Sequence, residues 1–342
     1  MSARRRLRVP LIPLALALVV AGLVVVRVLV GTPMVYADLA VRAVLGEQIP
    51  GVSFIVMDDR LPAAVVGVLG GAALGLSGTV FQTMLRNPLA SPDVIGVTLG
   101  SSAAAVAGMA LVDAQGLALF WWTLLGGLLT ALLVLWVAQA HRRGGHGAGG
   151  AGAVDDRFVL VGIGVAAALL ALVQYLLSRM ETKKAGDTMH WLVGSLSGAT
   201  WPRVAVLAGA LVVLIPVLAA LVGRLRILQL GDDTAASLGL PVPATRIALV
   251  LVGVLLSSFT VAVAGPLAFV AFLAGPIARL LAGRPSFVLA ALLGAVLVLA
   301  ADVAGQNLFG RVEMPAGVIT GALGAPFLLW MLMRSSTTGR GR

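Results

Sequence analysis

Apolar runs of 15 to 24 residues recur from one end of the 342-residue chain to the other, separated by short polar gaps. They lie at 10–29, 61–81, 94–112, 117–140, 158–177, 204–222, 247–263, 267–281, 287–301 and 316–333. An α-helix rises about 1.5 Å per residue, so about 20 apolar residues cross the roughly 30 Å hydrocarbon layer of a bilayer. The pattern predicts an all-α, polytopic membrane protein with about ten transmembrane helices in a single integral domain, residues 1–342. The seventh and eighth runs form one stretch broken at Gly265-Pro266, a discontinuity tolerated in membranes where protein or a water-filled path satisfies the freed backbone groups.

Composition supports this reading. Only 11% of residues are charged, 60% are hydrophobic, and the mean hydropathy is +1.05. A soluble domain carries about 25% charged residues. The net charge of +10 could suggest nucleic acid as a partner, but the charges sit in short loops between the apolar runs, without a basic stripe interleaved with aromatics. The lipid bilayer is the expected partner and nucleic acid is not. Arg4, Arg5, Arg6 and Arg8 before an apolar run, with Val35-Tyr36-Ala37 after it, resemble a signal peptide; the run is too long for one, so an uncleaved first span is expected.

Lysines and arginines set the orientation, because positive loops stay on the cytoplasmic side. With the N-terminus inside, 16 of the 24 basic residues fall on the cytoplasmic face and the remainder, including Arg27, Arg60, Lys183, Lys184 and Arg311, on the other. Both termini are then cytoplasmic, in the inner membrane. The cytoplasmic set comprises a basic tail (1–9), a Gly/Arg-rich loop (141–157), a region at 224–246 and a tail at 335–342.

Several motifs imitate chemistry that the context rejects. Phe158 to Ala167 has the glycine spacing of a dinucleotide turn, but the apolar run continues through Leu177 with no βαβ pattern. Gly145 to Gly150 repeats that spacing in a loop that reads as a flexible linker. His141, His146 and His190 have no carboxylate at ligand spacing, and without cysteine the chain offers no thiolate site. No cofactor or metal is therefore expected. No GxxxxGK[ST] loop is present, so any ATP dependence must come from a partner, and the chain reads as a non-enzyme. Acids that could couple transport to an ion gradient are few: Asp93 and Asp302 at span ends, and Asp113 in a loop. Gly67, Gly71 and Gly75, every fourth residue of the second run, predict close helix packing.

Within 224–246, the stretch Gly231, Asp232, Asp233, Thr234, Ala235, Ala236, Ser237, Leu238, Gly239 reads as a short exposed helix, with acids in its first turn and a glycine at its C-cap. Such a helix could dock in a partner's groove.

Other residues carry a resemblance. Arg60-Leu-Pro, Gly71 to Gly78, Gln82, then Asn87, Pro88, Leu89, Ala90, Ser91, Pro92, Asp93 and Gly96 resemble the signature of the FecCD family of ABC importer permeases. The order continues with Trp191 to Gly198, Leu230 to Gly239, Ala264-Gly-Pro266, Ala301-Asp302, Glu313 to Gly317 and Gly324-Ala-Pro326, over roughly residues 10 to 334. The resemblance implies a type II ABC importer permease fold and a second permease subunit. It also implies two cytoplasmic ATPase subunits and an extracytoplasmic binding protein. It makes ferric siderophores the first cargo, with vitamin B12 or haem as the alternative; a secondary transporter driven by an ion gradient is the alternative outside the family. It further implies that Gly231 to Gly239 dock on the ATPase and that Arg60 receives an acid of the binding protein.

Three departures from the family pattern stand out. Ala63 and Gln306 occupy positions where arginines are usual, leaving Arg311 as a stand-in for docking, and Leu273-Ala-Gly-Pro-Ile-Ala-Arg279 lacks the family's histidine. The last favours a heterodimer of two permeases over a homodimer.

Overall fold

The computed structural model describes residues 3–140, 152–309 and 313–338. In chain order the helices are α1 (Ala3–Leu29), α2 (Ala37–Val44), α3 (Val52–Phe54), α4 (Leu61–Met84), α5 (Val97–Val112), α6 (Gly116–Ala140), α7 (Gly152–Arg179), α8 (Thr182–Leu192), α9 (Trp201–Leu228), α10 (Asp232–Ser237), α11 (Val242–Ala264), α12 (Val270–Ala282), α13 (Phe287–Asn307) and α14 (Ala316–Thr338). A π-helical stretch, Ile55–Arg60, joins α3 to α4. Seven of these segments are long and apolar enough to cross a membrane, and the three shorter apolar helices α5, α12 and α14 fill the remaining positions of the ten apolar runs. The chain is a multi-pass membrane protein.

Helix α4 is the hub. It packs against α13, α11, α12, α9 and α1, and most of its residues are buried. Its glycines explain how. A Cβ on Gly71 would overlap the backbone of Gly294, and one on Gly75 would overlap the Ala290 carbonyl, so α4 and α13 touch main chain to main chain. Gly78 makes the same contact with Ala271 of α12. Gly67 sits against side chains instead, with the Leu299 methyl 2.8 Å from where its Cβ would stand.

Several polar side chains inside the bundle find hydrogen-bond partners on neighbouring helices, as a medium without water favours. The Ser77 hydroxyl donates to Gly253 O at 2.6 Å and the Gln82 amide to Phe272 O at 3.1 Å, tying α4 to α11 and α12. Ser101 and Ser258 meet at 3.4 Å between α5 and α11, so Ser101 ties helices together. The expected break is real: α11 ends at Ala264, Gly265 has φ +73°, and the helix resumes only at Val270.

A buried ion pair also closes the bundle. Arg27 in the last turn of α1 donates to Asp302 of α13, and the Gln306 amide adds hydrogen bonds of 3.3 Å to both carboxylate oxygens. Asp302 is thus occupied by a structural partner.

Chain ends and the long loop are more helical than expected. Helix α1 begins at Ala3 inside the basic tail, α7 begins at Gly152 inside the Gly/Arg-rich loop, and α14 runs on to Thr338. The Gly145 to Gly150 motif, His141 and His146 lie outside the described residues.

Candidate coupling and docking sites

The first candidate site is α10. Gly231 precedes it with φ +106° and Gly239 follows it with φ +81°, conformations that glycine adopts without a Cβ penalty. The C-terminal end is a Schellman closure: Leu240 N–H donates to Ala235 O at 3.0 Å and Gly239 N–H to Ala236 O at 2.9 Å. Asp232 and Asp233 occupy the first turn, where the helix dipole favours anions. Ala235 is fully buried, while Asp233, Thr234, Ala236, Ser237 and Gly239 are exposed. Leu238 (62% exposed) and Leu230 (60%) add uncovered apolar surface beside them. The expected short helix with one outward face is present.

The signature loop, Asn87 to Gly96, is a chain of turns. Asn87 Oδ1 accepts the Leu89 N–H at 2.9 Å, and Asn87 O accepts the Ala90 N–H at 3.1 Å. Pro88 and Pro92 leave no backbone donors at their positions, and Pro92 O accepts the Val97 N–H at 3.0 Å to start α5. Gly96, at φ +87°, lies against α7: a Cβ there would stand 3.2 Å from Gly162 O, and one on Gly162 would stand 2.8 Å from Ile95 Cα. The glycines of the dinucleotide-like stretch are therefore partly explained, since Gly162 is a packing glycine on a continuous membrane helix. The loop walls a cavity of about 470 Å³ with Ser91 and Asp93, opposite Leu170, Val173, Phe269 and Leu328.

The second candidate site lies at the other end of α9, where the Trp201 indole donates to Met57 O at 2.7 Å beside Arg60. Arg60 was expected to face outward. Its side chain instead turns inward, and the residue is only 4% exposed. Its guanidinium donates to Val28 O at 2.9 Å and Leu29 O at 3.2 Å in the last turn of α1, and to Pro33 O at 2.6 Å in the turn that follows. Asp38, Phe54, Asp58 and Asp59 are exposed in the flanking segments. Further along this face Lys184 pairs with Asp113 at 2.7 Å, and Arg203 donates to Gly198 O at 2.7 Å. Arg311 lies outside the described residues.

On this face Arg42 and Glu47 form an exposed pair that holds the turn after α2. The hydrogen bond to Arg42 lowers the Glu47 carboxyl from its ordinary value, and the reciprocal bond raises Arg42. Among the described residues no three His, Cys, Asp or Glu side chains stand together as a metal site.

Residues 15–334 match the sequence profile of the FecCD transport family. The chain belongs to that family. Among FecCD relatives, the ferric enterobactin transport system permease protein FepG of Escherichia coli K12 is 37% identical over 97% of this chain and 98% of its own. The achromobactin transport system permease protein CbrC of Dickeya dadantii is 38% identical, covering 94% and 91%. The Fe(3+)-citrate import system permease protein YfmE of Bacillus subtilis is 33% identical, covering 97% of both. The FecCD architecture also superposes on a solved metal-chelate type ABC transporter in an inward-facing conformation, with TM-score 0.80 and 25% identity over 95% of this chain and 99% of that one.

Sequence reasoning missed two things that the structure supplies. One is the Arg27–Asp302 pair, for which the only signal was an arginine closing the first apolar run. The other is the inward turn of Arg60, which no local pattern announces.

Proposed function

We propose that this FecCD permease is the transmembrane subunit of an ATP-binding-cassette importer that carries ferric siderophore complexes inward across the cytoplasmic membrane. The observation that carries the reading is α10, a short helix with one buried and one exposed face at the end of a membrane span, in a chain without a nucleotide loop. Relatives named for enterobactin, achromobactin and ferric citrate support the cargo class. ATP hydrolysis belongs to two ATPase subunits that receive Gly231 to Gly239, and both termini lie on their side of the membrane. A second, non-identical permease completes the path. A binding protein delivers cargo to the opposite face; Arg60 serves it by holding the α1–α2 turn in place, and Arg311 by direct contact.

The test is co-expression with candidate neighbouring genes, purification through a tag on this chain, and import of radio-iron in proteoliposomes. An ATPase and a second permease should co-purify, and uptake should require ATP and the binding protein. Uptake that follows an ion gradient without ATP would refute the assignment.

A further inference from the structure

No atom lies within 4 Å of where a Cβ would stand on Gly231 or Gly239, so neither joint of α10 is wedged against another helix. A force on the exposed face of this six-residue helix reaches a membrane span through the chain and through the contacts of its inner face.

Its inner face supplies that link. Asp232 and Ala235, three residues apart, share a side of the helix. Ala235 is buried, and Asp232 Oδ1 accepts a hydrogen bond from Arg246 Nη2 at 3.2 Å. Arg246 stands in the second turn of α11, so the ion pair bridges from α10 to that span. The two side chains are 12% and 14% exposed, so the pair is screened little by salt. Helix α11 packs on α4, α5, α6 and α9, at the centre of the bundle. Helix α9 also touches α10, but much of its surface is exposed.

We propose that the Asp232–Arg246 ion pair is the strut that passes movement of α10 to α11, with Arg246 a positioning residue for coupling. This rests on the reading of α10 as the surface that meets the ATPase. Arg246 acts through Asp232 and touches neither cargo nor nucleotide.

The experiment uses the complete importer in proteoliposomes. It follows ATP hydrolysis together with import of iron-55 supplied as a catecholate, hydroxamate or citrate chelate, whichever the wild type imports. Asp232→Asn and Arg246→Gln should each lower iron imported per ATP by about fivefold in an assembled complex, and the double variant should fall within about twofold of the worse single one, because linked residues do not add. Independent roles would multiply to a loss of about 25-fold, and that result would overturn the strut. Single variants with an unchanged ratio would overturn it too. Arg246→Lys, which keeps the charge, should retain more than about half the ratio. If a neutral variant fails to assemble, Asp232→Glu lengthens the strut with the charge intact and should lower the ratio by about twofold; no change would refute the proposal. Failure of the wild type to co-purify with any ATPase would instead sink the function proposed above, and it is seen without any variant.

Discussion

Glycine serves opposite purposes in α4 and around α10. In α4, Gly71, Gly75 and Gly78 have ordinary helical backbone and are needed for space, because the main chain of α13 or α12 stands where a Cβ would be. Around α10, Gly231 and Gly239 have open space and are needed for their positive φ. The first arrangement locks helices together; the second lets the chain turn sharply into and out of a short helix.

Four changes would break or sharpen that contrast. The largest effect is expected of Gly75→Leu. Its side chain has no route past the Ala290 carbonyl, so α4 and α13 must separate, and size-exclusion chromatography should show no monodisperse protein. A normal elution profile would disprove main-chain contact between the two helices. Next is Asp302→Leu, which strands Arg27 in a nearly dry site and should cost about 3–5 kcal/mol in denaturant unfolding. Adding Arg27→Leu should recover much of that loss, since an apolar pair of similar volume is often as stable as the ion pair it replaces.

Smaller still for stability is Gly239→Trp. Strain at φ +81° should cost about 1–3 kcal/mol locally and leave membrane insertion intact, while the new side chain obstructs the docking face and abolishes import. Import at the wild-type rate would remove α10 from the coupling path. The smallest effect concerns the exposed Arg42–Glu47 pair. Glu47 has a lowered pKa when folded, so its contribution is present above the unfolded carboxyl pKa and is lost as pH falls through the folded value. The melting-temperature difference between wild type and Glu47→Gln should therefore shrink from neutral pH toward acid. A constant difference would assign the effect to packing.

Elements whose formation depends on solvent alone were legible. All ten apolar runs are helices, and the break at Gly265-Pro266 falls where a glycine followed by a proline interrupts the apolar stretch. The cap chemistry of Gly231 to Gly239 also predicted α10, because acids, alanines and a closing glycine act within one turn or two. Helices α2 and α8 were not anticipated. The first has only eight residues, and the second, Thr182–Leu192, is largely polar, so neither forms an apolar run. Arg60 shows the limit for a single residue: its position at the head of a span is plain from sequence, yet its partners lie 27 to 32 residues away in a turn that the sequence does not orient.

Taken alone, the order of residues determined that this chain lives in a bilayer, crosses it about ten times, contains no GxxxxGK[ST] motif, and carries FecCD motifs. Those properties follow from local composition and short motifs, which act through the solvent and through neighbours one or two turns away. Tertiary structure decided which helices touch and which charges are engaged. Arg27 meets Asp302 across 275 residues, and Asp232 finds Arg246 on the next span. Both pairings need elements that only the assembled bundle brings side by side, α1 beside α13 and α10 beside α11.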